Sequence, residues 1–265
     1  MTPLLALALT EDIGAGDVTS TACVPADLRA TGVFLTREPL TLAGTAILTE
    51  LYPNLKLHHR DGETLPPNTP IATAEGTART LLELERTALN FLQRLSGVAT
   101  LAHAFTAEVA HTNCRILDTR KTTPGFRALE KAAAAAGGVT NHRMGLYDAI
   151  LIKNNHISAA GGVRQAITAA RTSGLPIEIE VRTLAELHEA LAENADHLLL
   201  DNLTPQQASE WIAIIDHRAK VELSGGITLE TVRAYAETGA DFVSVGAITH
   251  SARAVDISFR LELSV

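Results

Sequence analysis

Aromatic side chains make up only 4% of this 265-residue chain. Its interior must therefore be built from Ala, Leu, Ile and Val rather than from large rings. Cysteine is scarce as well. Cys23 and Cys114 are the only two, and their spacing fits neither a metal site nor a disulfide framework, which suits a reducing cytoplasm. No apolar run reaches the ~18 residues of a bilayer-spanning helix, so no membrane association is expected. Positive charge is in the minority, with 22 Lys and Arg against 30 Asp and Glu, a net charge of -8 and a pI near 5.7. Nucleic acid would demand a broad basic surface, and it is not expected as a partner. The opening MTPLLALALT is apolar but lacks a basic flank and runs straight into EDIGAGD. It predicts an N-terminal helix rather than a signal-peptide core.

What is present is globular: 46% of residues are hydrophobic and 20% charged. The length accommodates one α/β barrel with a smaller domain. Residues 1–113 read as an α+β domain, with strands predicted at 30–36, 40–47, 55–59 and 70–74 between turn residues such as Asp61-Gly62 and Pro66-Pro67-Asn68. A helix is predicted over 80–95, broken at Ser96-Gly97 and followed by a second over 98–110. From Cys114 the chain becomes rhythmic. Apolar runs at 115–117, 149–152, 177–181, 197–200, 221–223 and 242–245 alternate with helix-like segments at 162–173, 184–193, 205–216 and 229–238. Such alternation argues for a parallel sheet.

The ends of those strands carry the chemistry. The first runs into Asp118-Thr119-Arg120-Lys121 and the second into Lys153. The third carries Glu180, the fourth Asp201, the fifth Ser224-Gly225-Gly226 and the sixth Gly246. Reactive residues at successive strand ends are the layout of a barrel with its site at the C-terminal face. Six units rather than eight make the predicted barrel, 114–250, incomplete. The tail, 251–265, contains VDISFRLEL and either adds the last barrel strand or returns to the first domain.

In an acidic protein, the cations Arg120, Lys121, Arg143 and Lys153 gathered at strand ends imply an anionic ligand. Arginine offers a bidentate fork for carboxylates, and lysine a point charge near phosphates. SGGIT after a strand, and Gly246 after the next, match the amide-rich phosphate loops of barrels. Glu180 and Asp201, on adjacent strands, suit ribose hydroxyls or a hydrated Mg²⁺. His142, after a Gly-Gly loop, is placed to bond a carboxylate or phosphate. Arg86, on a helix of the first domain, reads by itself as a solvated surface residue.

Together these segments resemble the quinolinate phosphoribosyltransferase family. The likeness runs almost end to end through EDIGAGDVTS, ERTALNFLQRLSGVAT, DTRKTTPG, NHRMGLYDAILIKNNHI, EIEV, LLLDN, ELSGGI and SVGAITHS. It implies an N-terminal α/β sandwich domain and an incomplete α/β barrel. It also implies a homodimer, or a larger assembly built on one, whose site lies between the barrel of one subunit and the N-terminal domain of the other. The implied reaction is Mg²⁺-dependent transfer of phosphoribosyl from phosphoribosyl pyrophosphate to quinolinate with decarboxylation, for NAD synthesis. By this resemblance Arg120, His142 and Arg143 bind the two carboxylates of quinolinate, and Arg86 enters from the neighbouring subunit. Lys121 and Lys153 face pyrophosphate and substrate. Glu180 and Asp201 hold the ribose hydroxyls and Mg²⁺, directly or through water, and Ser224, Gly225, Gly226 and Gly246 cradle the 5-phosphate. The chain departs from the family where Lys131 opens a five-alanine run before Gly137-Gly138, so the resemblance does not imply the conformation of 132–140.

Three alternatives remain at this level. A related molybdenum-transport-associated family shares the fold and the His-Arg pair but lacks a lysine at the position of Lys153. A Schiff-base aldolase would use Lys153 as nucleophile and leave Arg86 and Arg120 without roles. A phosphoribosyl-ligand sensor would bind without turnover.

Overall fold

The computed structural model describes residues 2–263. In chain order it contains α1 (Pro3–Ile13), α2 (Val18–Cys23), β1 (Arg29–Thr36), β2 (Leu40–Thr41), α3 (Thr45–Leu51), β3 (Leu55–Leu57), β4 (Thr64–Leu65), β5 (Pro70–Thr77) and α4 (Ala78–Val109). Next come β6 (Arg115–Leu117), α5 (Arg127–Ala136), β7 (Ile150–Ile152), α6 (Asn154–Ala160), α7 (Val163–Ala170), β8 (Ile177–Val181), α8 (Leu184–Ala192) and β9 (His197–Asp201). The run ends with α9 (Pro205–Ile215), β10 (Lys220–Ser224), α10 (Leu229–Ala236), β11 (Phe242–Ser244), α11 (Ala247–His250) and β12 (Ile257–Leu263). Packing groups these elements into two compact units. One comprises Met1–His103, Thr123–Gly138 and Ser251–Val265; the other comprises Ala104–Thr122 and Val139–His250. The boundary after residue 250 is the expected one, whereas the one expected at 113 falls after 103, and α5 with its flanks, 123–138, packs with the first unit.

The first unit is built on a four-stranded antiparallel sheet, ordered β12-β1-β5-β3. Burial alternates along β1, as a strand with one covered face requires. On that face Phe34 is fully buried and meets Tyr52 and Phe259 edge-on, with centroids 5.7 and 4.9 Å away. β12 pairs with β1, so of the two courses open to the tail it takes the return to the first domain; residues 264 and 265 lie outside the described residues.

Two expectations are corrected here. The predicted strand 40–47 is strand only at Leu40–Thr41. The Asp61 carboxylate accepts the Gly44 and Thr45 N–H groups at 3.0 and 3.1 Å, and by capping those donors it starts a helix at Thr45. The predicted break at Ser96-Gly97 does not occur, since α4 is one helix of 32 residues. Ser96 Oγ instead accepts from Ala43 N and donates to Ala43 O, each at 3.1 Å. Gly97 leaves room for the Arg253 carbonyl, which a Cβ would strike. The alanine run, whose conformation the resemblance did not imply, ends helix α5. Its Glu130 is fully buried and accepts hydrogen bonds from Arg94 (2.6 and 3.1 Å), Thr123 N (2.9 Å) and Thr123 Oγ1 (2.8 Å).

The second unit holds six parallel strands in the order β6-β11-β10-β9-β8-β7. Each strand lies beside its neighbour in sequence except the first two. Among the described residues β6 and β7 do not pair; Leu117 of β6 instead forms an isolated bridge with Thr140, in the connection between them. The result is the expected incomplete barrel, with a seam where the chain departs to form α5.

An exposed glycine in a helix is normally improved by alanine, by up to ~1 kcal/mol. Because Gly97 abuts a backbone carbonyl, Gly97→Ala is expected to destabilise the protein by about 1–3 kcal/mol. A lowered urea midpoint would agree; a raised one would contradict the packing assigned to this position.

Candidate active site

Strand side chains two residues apart share a face, and parallel registration aligns them between strands. Glu180 lies beside Leu199, Leu199 beside Glu222, and Asp201 beside Ser224. Together with Leu151 and Ser244 these residues open into a cavity of about 410 Å³ at the C-terminal ends of the strands. Its remaining walls are Thr119, Arg120, Lys121, His142, Arg143, Lys153, Asn202, Gly225 and Gly226. The structure thus brings the candidate residues together, apart from Gly246 and Arg86. Arg86 is carried by α4, with its side chain 59% exposed and 4.0 Å from Glu85.

Two guanidinium groups form the cationic wall. Arg143 donates to Ala149 O at 3.0 Å, and its buried Nε has no partner. Burial and then the adjacent Arg120 charge pull its pKa down. Like charges held together in this way favour an anion with more than one negative charge.

His142 is fixed beneath them. The buried Asp118 carboxylate accepts from His142 N at 2.8 Å and from Asn141 Nδ2 at 2.6 Å. His142 Nδ1 accepts the Arg143 N–H at 2.7 Å, so Nε2 carries the ring proton and donates it to Glu178 at 3.0 Å. Both ring nitrogens are engaged, and the imidazole supports Arg143 from below.

Lys121 is held by its backbone, whose carbonyl accepts from Thr249 Oγ1 at 2.7 Å. A Cβ at Gly246 would lie 3.0 Å from Lys121 Cδ and 3.1 Å from His250 Nε2. Gly246 therefore makes room for the lysine stem rather than forming part of the cavity wall.

The opposite wall is acidic. Glu180 accepts from Arg182 at 3.1 Å and lies 3.5 Å from the half-exposed Lys153. Lys153 ends its strand because the next residue begins α6, where the His156 side chain accepts the Lys153 N–H at 2.9 Å. Burial, then the charge of Glu180, raises the Asp201 pKa. A carboxyl whose ionisation is opposed by its neighbour is relieved by a cation, so this pair fits Mg²⁺.

The glycine loop is shaped by Asn202. Its backbone is left-handed (φ 58), and its N–H donates to Ser224 O at 2.8 Å. Its carboxamide fills the space a Cβ at Gly225 (φ +107) would need. Gly226 (φ +62) faces open space. Successive left-handed residues form an amide-rich concavity that suits an oxyanion.

Sequence reasoning did not single out Asp118, Glu178, His197, Asn202 or Glu222. The signal for three of them was charge or imidazole inside parallel strands, as in IEIEV, HLLLD and KVELS, where apolar residues are the rule. His142, Glu178 and Glu222 offer ligand atoms within 4.8 Å of one another. Because the proton on His142 lies at Nε2, that nitrogen is a donor and not a metal ligand.

Comparisons with known proteins agree with this geometry. The family model described as quinolinate phosphoribosyl transferase, C-terminal domain, matches residues 98–260, and that for the N-terminal domain matches 17–96. The nicotinate-nucleotide pyrophosphorylase (carboxylating) of Mycobacterium leprae is 42% identical, over 96% of this chain and 94% of its own. The probable enzyme of that name from Bacillus subtilis is 40% identical, over 96% and 91%. Among solved structures, the nicotinate-nucleotide pyrophosphorylase of Francisella tularensis superposes with a TM-score of 0.93 at 39% identity, covering 98% of this chain and 95% of that one.

Gly225→Ala is expected to weaken binding of inorganic phosphate about tenfold, or ~1.4 kcal/mol, because both the backbone conformation and Asn202 must yield. Calorimetric titration checks this; unchanged affinity would remove the loop from the anion site.

Proposed function

The chain belongs to the quinolinate phosphoribosyltransferase family, and from that premise we propose how its cavity performs the family's reaction. The protein transfers phosphoribosyl from phosphoribosyl pyrophosphate to quinolinate with decarboxylation, giving nicotinate mononucleotide, CO₂ and pyrophosphate in NAD biosynthesis. The observation that carries this reading is the Arg120–Arg143 pair in one cavity with the Glu180–Asp201 pair and a glycine loop. A dicarboxylate, a ribose and a phosphate each find a matching wall.

In this reading Arg120 and Arg143 clamp the carboxylates and orient the ring nitrogen toward C1 of the ribose. Glu180 and Asp201 accept from the ribose hydroxyls, and Gly225 and Gly226 present amides to the 5-phosphate. Lys121 and Lys153 draw negative charge from the departing pyrophosphate while C1 becomes oxocarbenium-like. Mg²⁺, held by Glu180 and Asp201 directly or through water, would add charge neutralisation at the pyrophosphate. Little covalent chemistry falls to the protein, so positioning and fixed charge supply the acceleration.

Arg86 completes the clamp from a second subunit, which gives a half-exposed helical arginine a purpose and makes the functional unit a dimer. A cytoplasmic location belongs to the same proposal; among the described residues no helix is long and apolar enough to cross a membrane. The aldolase alternative is disfavoured because Lys153 is half-exposed and paired with Glu180, unlike the desolvated amine that Schiff-base chemistry needs.

Purified protein with Mg²⁺ and phosphoribosyl pyrophosphate is expected to convert quinolinate, and not nicotinate, to nicotinate mononucleotide with release of CO₂. Turnover of nicotinate alone, or of neither, would overturn the assignment. Arg86→Ala and Lys153→Ala proteins should each be inactive. Unfolded together and refolded, they should regain about a quarter of wild-type activity, because a mixed dimer restores one complete site. No recovery would contradict the shared site.

A further inference from the structure

A second cavity, of about 350 Å³, lies at the N-terminal ends of the strands and reaches the barrel seam. Its walls include Leu117 and Thr140, the seam residues, together with Glu178, His197 and Asp196. His142 and Arg143 line this cavity and the active-site cavity alike, so the partition between the two is a single layer of side chains. Glu222 faces the active-site cavity, while Glu178 and His197 face the seam.

The partition contains polar atoms that the mechanism above does not use. Glu222 is 1% exposed, and among the described residues neither of its carboxyl oxygens makes a hydrogen bond of good geometry, although the Ser244 hydroxyl is near enough to act on it. Glu178 Oε1 and His197 Nε2 are likewise buried and unpartnered. These groups are close together. His142 Nε2 lies 3.5 Å from Glu222 Oε2, and His197 Nε2 lies 3.5 Å from Glu178 Oε1 and 4.0 Å from Glu222 Oε2.

The reaction requires a proton at this place. When CO₂ leaves, the electron pair of the broken bond stays on C2 of the pyridinium ring and must be protonated. Of the groups around the carboxylate clamp, guanidinium does not release protons, His142 gives its N–H to Glu178, Lys121 serves the departing pyrophosphate, and the Lys153 side chain is paired with Glu180. We propose that Glu222 is the acid that protonates C2, and that His197 returns a proton to it from water in the seam cavity. This inference rests on the quinolinate reading above.

The proton count closes. The carboxyl O–H of Glu222 breaks as the C2–H bond forms, leaving a carboxylate. His197 takes a proton from seam water and passes it to Glu222 Oε2, 4.0 Å from its Nε2, a gap that a small side-chain rotation closes. Each turnover consumes one proton from solvent.

The charge environment agrees. Burial, then the charge of Glu178, pushes the Glu222 pKa well up, with the Ser244 hydroxyl and then the charge of Lys153 opposing. Burial also acts to raise Glu178, but the hydrogen bond from His142 leads the influences that lower it. Burial pulls the His197 pKa down, which keeps that imidazole neutral and able to accept a proton.

The test is Glu222→Gln beside wild type, following pyrophosphate, CO₂ and nicotinate mononucleotide separately. The expected result is a loss of about 10²-fold in kcat, a quinolinate KM close to wild type, and pyrophosphate and CO₂ both released ahead of nicotinate mononucleotide. A variant within about threefold of wild-type kcat, with the products in step, would overturn the inference while leaving the family reading intact. A wild type that makes no nicotinate mononucleotide would bring down both. His197→Leu should keep the yield of a single turnover and slow the steady state; an unchanged steady state would remove its role. Should Glu222→Gln not fold, infrared spectroscopy of the wild type decides. A protonated-carboxyl band that shifts in D₂O is expected, and its absence would overturn the proposal.

Discussion

The hydrogen bond from His142 Nε2 to Glu178, 3.0 Å long, holds the rest of the active-site arrangement in place. It sets the orientation of the imidazole, leaving Nδ1 to accept the N–H of Arg143, and so fixes the start of the segment that presents that guanidinium. It also neutralises part of a carboxylate that burial alone would keep protonated. Without it, two glutamates on strands either side of β9 would compete for one proton beside a ligand site.

From that contact upward the barrel interior is a graded stack of charge. Glu178 lies level with His197, Glu222 one step higher in register with Leu199 and Glu180, and Asp201 level with Ser224 at the rim, while His142 bridges Glu178 and Glu222. Parallel registration puts these groups at matched heights without any loop having to place them. A barrel interior normally packed with branched aliphatics has here given part of its core to polar function. The incomplete closure serves the same end, since the seam beside β7 gives water a route to the lowest layer that a closed barrel would deny.

Much of this was legible in the letters. Six strand–helix units, the incomplete barrel and the C-terminal placement of the site followed from apolar runs ending in Arg120, Lys153, Glu180, Asp201 and the SGG turn. What was not legible depended on partners far away in sequence. Ser96-Gly97 reads as a helix break because its contacts, Ala43 and Arg253, lie 53 and 156 residues away. LTLAGTAIL reads as a strand until Asp61 is seen to cap Thr45. Glu222 reads as one charge in an apolar strand, and its isolation shows only when the neighbouring strands bring Glu178 and His197 alongside. The role of His142 depends on a ring orientation that no local pattern encodes.

The most direct test of this arrangement is a crystal structure with quinolinate bound. The expected result places both carboxylates against Arg120 and Arg143, with the C2 edge of the ring over Glu222 and the ring nitrogen toward the Glu180–Asp201 rim. A ring with its C2 edge turned toward the rim, or one seated away from the two guanidinium groups, would contradict the account.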